Sequence, residues 1–321
     1  MAGDVAPRFS VIMPLYNKGA HIERAIRSAQ IAGEALDIEI VVLDDGSTDD
    51  GPAIVRRMAA DDPRIQLFAQ ANGGEGAARN AAVSRARGEI LAFLDCDDAW
   101  LPDHLKEIDR LVRSHPEAGC FATAYEIQHP DGTVSQPAYG HLGVGQEGGV
   151  LPSYFRACAM GGGPLLPSCT AVRRTLYETV GGMREELVIA ADRVLWFSIA
   201  RHAAVAWSPL VGARYHRDAE NRLMRRWTWE RGRIVLGLLD SYLAEPGLDP
   251  ALRASIQAAR FAEDRIQFNV CCEFGLKGAA ARYLLAYARG RGPMAALPLL
   301  PKLVLPLAVY SRIRTAIRAL R

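Results

Sequence analysis

Along the first 125 residues, apolar positions recur with two different periods, and each change of period marks an element. The run Phe9-Ser-Val-Ile-Met-Pro14 has the pattern of a core strand. Beyond it Ile22, Ala25, Ile26 and Ala29 recur at helical spacing, between Asn17, suited to cap a helix, and Gly33, suited to end one. The β-branched run Ile38-Glu-Ile-Val-Val-Leu43 reads as a strand buried on both faces. Pro52 opens a helix through Ile54, Val55 and Met58, and 65–68 is a short strand. A helix over 75–86 precedes a strand over 89–94. Pro102 starts a helix through Leu105, Ile108, Leu111 and Val112, and a strand follows over 120–127. Such alternation predicts a mainly parallel sheet with helices on both faces. Ligands of these sheets bind beyond the carboxyl ends of the strands.

From 128 to 163 the pattern breaks into Gly- and Pro-rich sequence, which predicts loops with short edge strands. Periodicity returns over 168–180 and 192–202, with a strand over 203–207. Beyond Arg222 the chain reads as helical. The expected organisation is an α/β domain over 1–221 and a helical C-terminal extension over 222–321.

Composition narrows the function classes. A net charge of +2 over 321 residues gives no basic excess for nucleic acid. The six cysteines form no C-x-x-C pair and fit a reduced, cytoplasmic protein. The first apolar run is too short for the h-region of a secretory signal. The 17-residue stretch 294–310 contains Pro298, Pro301, Pro306 and Lys302, and a spanning helix needs about 20 apolar residues. Arg312, Arg314, Arg318 and Arg321 follow it, interleaved with Ile313, Ile317 and Leu320. That segment fits either a peripheral contact with an anionic membrane surface or a helix packed on the catalytic domain or in a homodimer.

Two acidic segments stand where strands end. Asp44-Asp45-Gly46-Ser47-Thr48-Asp49 follows the second strand, and Asp95-Cys96-Asp97-Asp98 follows the strand over 89–94. In a parallel sheet both project into one crevice. Acids gathered there repel one another unless a cation or hydrogen-bond donors neutralise them. A hard ion such as Mg²⁺ takes one or two carboxylates together with phosphate oxygens and water. Between the segments lies Asn72-Gly73-Gly74-Glu75-Gly76-Ala77-Ala78-Arg79-Asn80, whose glycines could bring backbone N–H groups to a phosphate.

Pro14-x-Tyr16-Asn17, Asp44-Asp45-Gly-Ser-x-Asp49, Asn72-x-Gly74-x-x-x-Ala78-Arg79-Asn80 and Asp95-x-Asp97-Asp98-x-Trp100 occur in that order. Together they resemble the inverting GT-A glycosyltransferases of family 2. Gly181-Gly182-Met183-Arg184-Glu185 resembles the family's Gly-Gly-Phe-Asp-Glu turn, and Ala191-Asp192-x-x-Leu195-Trp196 its Glu-Asp-x-x-Leu-Trp segment. The resemblance covers about residues 9 to 220.

It implies a GT-A (Rossmann-like) fold, with a nucleotide-sugar-binding half over about 1–110 and an acceptor half over 111–221. By the resemblance, Pro14, Tyr16, Asp45, Asn72, Arg79 and Asp95 would hold the nucleotide. Asp97 would ligate Mg²⁺ or Mn²⁺, with His216 near the metal or pyrophosphate, and Asp192 would be the catalytic base. A carboxylate at Asp45 suits the ring N–H of uracil or thymine, hence a UDP or dTDP donor. The acceptor would be a glycan or a lipid-linked glycan. Two departures stand out: Ala191 replaces the acid before the base, and Met183-Arg184 replaces Phe-Asp. The competing expectations are a weakly active or inactive sugar-nucleotide-binding protein and a nucleotidyltransferase.

Overall fold

The structure, a computed structural model, describes residues 6–139, 142–161, 163–217 and 229–304, with backbone only for 229–231. The chain divides into two compact units, Met1–Ala157 with Gly161–Arg225, and Cys158–Met160 with Arg226–Arg321.

The first unit is organised by four parallel strands: β1 (Phe9–Leu15), β2 (Ile38–Asp44), β3 (Ile65–Ala69) and β4 (Ile90–Phe93). Helices α1 (Gly19–Ala32), α2 (Gly51–Asp61) and α3 (Glu75–Arg85) connect them. Every residue of β2 is buried, which accounts for its near-continuous apolar sequence. Its mid-strand charge, Glu39, accepts hydrogen bonds from the Ser10 hydroxyl and from the backbone N–H groups of Arg87 and Gly88. On α1, Ile22, Ala25, Ile26 and Ala29 are fully buried against the sheet. Each of the two isoleucines contributes about 1.5–3 kcal/mol when buried.

The chain then forms β5 (Ala99–Trp100), α4 (His104–Ser114), β6 (Ala118–Gln128), β7 (Val134–Ser135) and β8 (Gly149–Val150). After α5 (Tyr154–Gly161) come β9 (Thr170–Arg173), α6 (Arg174–Thr179), α7 (Ala191–His202) and β10 (Ala204–His216). The main sheet runs β3-β2-β1-β4-β9-β6-β10-β5. Within it β9 opposes its neighbours β4 and β6, the edge strand β5 opposes β10, and β6 is parallel to β10. The mixed, mainly parallel sheet with flanking helices is the architecture expected from the sequence.

Three local expectations differ. The 154–161 stretch, read as loop, is a helix because Tyr154 and Phe155 form a buried pair against Phe197 of α7, with ring centroids 5.6 and 5.4 Å apart. β10 runs well past 207, the expected end, and through Pro209. The register shifts between Ser208 and Val211, so the proline sits at a bulge that needs no N–H from it. Asn17 does not cap α1. Its backbone is left-handed (φ 51°), and the Asp49 carboxylate takes the Gly19 N–H at 2.7 Å instead.

The second unit contains α8 (Trp229–Ala244), α9 (Pro250–Glu273) and α10 (Lys277–Arg291), with α9 packed on both of the others. Phe268, Cys271, Ala280, Leu284 and Ala296 form its core. Short helical turns follow over Pro293–Val304. Among the described residues, no helix is long and apolar enough to cross a membrane. The basic tail with Arg312, Arg314, Arg318 and Arg321, and the expected boundary at 221/222, lie outside the described residues.

Candidate functional site

The ends of β1, β2 and β4 are brought level by register. Leu15 pairs with Asp44, Asp45 N donates to Leu15 O at 2.8 Å, and Leu94 N donates to Ile12 O at 3.0 Å. The loops that follow these strands therefore emerge on one edge of the sheet. Asn17 N donates to the Ser47 hydroxyl, and Thr48 N donates to the Asn17 side chain, which ties the first loop to the second. Pro14 is half-buried near the end of β1, and Tyr16, 49% exposed, faces solvent just beyond it.

Asp45 is buried. Its carboxylate accepts from Gln70 Nε2 at 2.8 Å, Gly73 N at 2.8 Å and Gly74 N at 2.9 Å. Its carbonyl takes the exposed Asn72 amide at 2.9 Å. Gly74 has φ 89°, a left-handed conformation that glycine adopts without a Cβ penalty, and this turns its N–H onto Asp45. The Gly-rich turn is thus fastened by the acid of the preceding loop.

The segment after β4 is held from several sides. The Arg79 guanidinium, 1% exposed, ion-pairs with both Glu75 and Asp95. Burial pushes the Asp95 carboxyl up to about 6, with Arg79 opposing and the Glu75 and Asp97 charges adding to the rise. Asp98 is fully buried. It accepts from the Ser168 hydroxyl at 2.5 Å and from His216 N at 3.0 Å. Burial raises its carboxyl well above the carboxylate range, and the nearby Asp95 and Asp97 raise it further. Cys96, fully desolvated and so held protonated, directs its thiol to Pro14 O at 3.1 Å. The Asp97 carbonyl accepts from Arg24 at 2.6 Å, while its carboxylate pairs with Lys18 Nζ at 2.7 Å.

Asp192 is half-buried in the first turn of α7. Two features fix the entry to that helix. Ala190 is left-handed at φ 64°, an uncommon state for a residue with a Cβ and one often found at functional sites. Earlier in the chain, Asn80 clasps the 181–185 turn. Its amide donates to Met183 O and Glu185, and its oxygen accepts from Met183 N and the Tyr177 hydroxyl. One turn beyond Asp192, the Trp196 ring meets Phe93 edge-on at 6.0 Å. Phe93 ends β4, two residues before Asp95.

The structure therefore links Asp95, Asp97, Arg79 and His216 in one bonded neighbourhood, with Asp45 and Asn72 in the adjoining loop. The Asp192 helix meets the end of β4 through the contact of Trp196 with Phe93. Lys18, Asn80 and Ser168 belong to the same framework, yet the sequence reading gave them no role. The signal for Lys18 was its place next to Pro14-x-Tyr16-Asn17; for Ser168 there was none. A separate cavity of about 670 Å³ is lined by Tyr139, Leu142, Val144, Gln146, Trp207 and Pro209, and none of these acids lines it.

Among the described residues, no three His, Cys, Asp or Glu side chains converge as a ready cation cluster. Asp95 and Asp97 both offer partly exposed carboxylates, with Asp95 ion-paired to the buried Arg79 and one Asp97 oxygen on Lys18. Hard ions that keep water and phosphate oxygens need only one or two protein carboxylates. The donor set fits a divalent ion that arrives with a diphosphate, and does not fit a self-sufficient metal centre.

Comparison with known proteins places the chain. An uncharacterised glycosyltransferase of Nostoc sp. is 38% identical over 130 residues, 40% of each chain. The succinoglycan biosynthesis protein ExoO of Rhizobium meliloti is 43% identical over 117 residues, 36% of this chain and 32% of ExoO. The chain thus spans well under half the length of either relative. Staphylococcus aureus TarS 1-349, solved in complex with UDP-GlcNAc, superposes with a TM-score of 0.67 at 20% identity, covering 88% of this chain and 81% of TarS 1-349. The mixed sheet with flanking helices is shared with that structure, a GT-A fold. The family description "Glycosyl transferase family 2" matches residues 10–180, which include both acidic segments and the Gly-rich turn. The chain belongs to glycosyl transferase family 2.

Proposed function

We propose that this protein transfers a sugar from a nucleoside diphosphate donor to an acceptor hydroxyl with inversion, in the building of a cell-surface polysaccharide. The observation that carries this reading is the segment Asp95–Asp98 at the end of β4. Three acids in four residues are stabilised by Arg79, Lys18, Ser168 and a backbone N–H, and the carboxylates of Asp95 and Asp97 stay partly open. A fold needs no such arrangement for its own stability, whereas a diphosphate site does. The kinship with a succinoglycan biosynthesis protein supports the polysaccharide context.

Each residue has a part. Tyr16, exposed at the mouth of the crevice, offers a face for the base, and Pro14 borders it. Asp45 secures the 70–74 turn and keeps about one of its four acceptor positions for a ring N–H, which favours uracil or thymine. Asn72 lines that turn. Asp95, set by Arg79, lies on the ribose side. Asp97 and His216, whose N–H holds the neighbouring Asp98, would hold Mg²⁺ or Mn²⁺, whose chemistry is to stabilise the charge on the leaving diphosphate. Asp192, in the first turn of its helix, takes the proton of the acceptor hydroxyl as the new bond forms.

The test is release of nucleoside diphosphate from a panel of nucleotide sugars with a glycan acceptor. EDTA should abolish transfer, and Asp192→Asn should lower it at least about a hundredfold, the usual range for a general base, with donor affinity unchanged. Turnover of Asp192→Asn near the wild-type rate would remove the base assignment, and pyrophosphate as product would replace sugar transfer with nucleotidyl transfer.

A further inference from the structure

The crevice carries a cation of its own. Lys18 Nζ lies 2.7 Å from Asp97 Oδ2, and the side chains are 16% and 18% exposed. The contact differs in kind from every other one on this segment. Asp98 is gripped by a buried hydroxyl and a backbone N–H, the Asp97 carbonyl by the planar guanidinium of Arg24, and Asp95 by the buried Arg79. Those partners are fixed. Lysine is a point charge on a flexible four-carbon stem and can exchange one anionic partner for another at little cost.

We propose that Lys18 makes divalent-ion binding and diphosphate binding conditional on each other. This rests on the sugar-transfer reading for the identity of the diphosphate, and on the Lys18–Asp97 contact for the rest. In the free protein the ammonium neutralises Asp97 and competes with an ion for its carboxylate. A bound diphosphate offers Lys18 phosphate oxygens instead, and Asp97 is released to the ion. Linkage is reciprocal: the factor by which the diphosphate tightens the ion is the factor by which the ion tightens the diphosphate. The geometry around Asp97 favours this order of events, because among the described residues no second and third ligand converge with it to hold an ion alone. Lys18 is therefore a positioning residue, acting through Asp97. Its effect is to keep the ion site closed until the donor is present.

The experiment is a titration of full-length protein with Mn²⁺, read by the loss of the free-ion EPR signal, without nucleotide and with UDP, dTDP or GDP. Lys18→Met removes the charge and keeps the length. Lys18→Arg retains a cation on Asp97 and serves as the conservative rescue. Without nucleotide, Lys18→Met should bind Mn²⁺ at least about fivefold more tightly than wild type, with Lys18→Arg like wild type, and Asp97→Asn in the Lys18→Met background should abolish the gain. With the diphosphate that binds, the wild-type Mn²⁺ affinity should rise at least about tenfold, and the rise should shrink in Lys18→Met. Equal or weaker Mn²⁺ binding by Lys18→Met without nucleotide would overturn the proposal. If no nucleotide binds either protein, the sugar-transfer reading fails, and the nucleotide-free titration still decides the part of Lys18. Lys18→Gln, of similar size, replaces Lys18→Met if the latter does not fold.

Discussion

The loop after β2 and the loop after β4 each begin with closely spaced aspartates, and the two loops are held in opposite ways. Asp45 is buried, and its carboxylate is met by three donors of the chain itself, two of them backbone N–H groups. Asp97 is partly open, and its carboxylate pairs with the Lys18 ammonium. The same side chain is an internal fastener in one loop and the proposed ion ligand in the other. What separates them is the chemistry of the partner: fixed amide donors in the first, a lysine on a flexible stem in the second.

Substitution should expose that contrast most strongly in stability. Asp45→Ala leaves the Gly73 and Gly74 N–H groups and the Gln70 amide without their acceptor, and a buried group left unpaired costs about 1–3 kcal/mol. A loss of about 2–3 kcal/mol in urea unfolding is the expected outcome. Asp97→Ala removes a partly solvated ion pair and should cost less than about 1 kcal/mol. Equal losses for the two variants would erase the distinction.

A smaller effect should come through acid. Trp100, just past the β4 loop, packs on His104 with ring centroids 4.7 Å apart and donates through its indole to Ser168 O. Burial lowers the His104 pKa from 6.5 to about 3. Between those values the unfolded chain binds more protons than the folded one, so stability falls as pH drops below 6.5. At pH 5.5 the loss from this residue should be about 1.4 kcal/mol. His104→Gln should remove that part of the pH dependence, as measured by urea unfolding at pH 7 and 5.5. An unchanged slope would show that His104 gains its proton without cost. The β2 loop, with no such histidine beneath it, should hold its hydrogen-exchange protection over the same range.

Much of this was legible in the sequence because local patterns carried it. The strands and helices of the first 125 residues followed their apolar periods, and the acids fell at strand ends because turns there accept Asp, Gly and Ser. What was not legible depended on partners distant in the chain. Nothing near Asn17 shows that Asp49 caps α1, and nothing near Asp98 shows that Ser168 and His216 N will hold it. The last strand was expected to end at 207, because the bulge that carries β10 past Pro209 arises only from pairing with β6. Arg79, expected near the nucleotide, is almost wholly buried and ion-paired with Glu75 and Asp95.

The central claim is that the loops after β1, β2 and β4 form a site for a nucleoside diphosphate sugar and a divalent ion together. A thermal-shift panel of UDP-, dTDP- and GDP-sugars, each with and without Mn²⁺, tests it most directly. At a hundred times Kd, a ligand specific for the folded state adds about 2.7 kcal/mol, a rise of about 4 °C for a chain of this size. The account predicts that rise for at least one donor, only when Mn²⁺ is present, and its loss in Asp97→Ala. A panel in which no donor raises the melting temperature, or in which the rise survives Asp97→Ala, would contradict it.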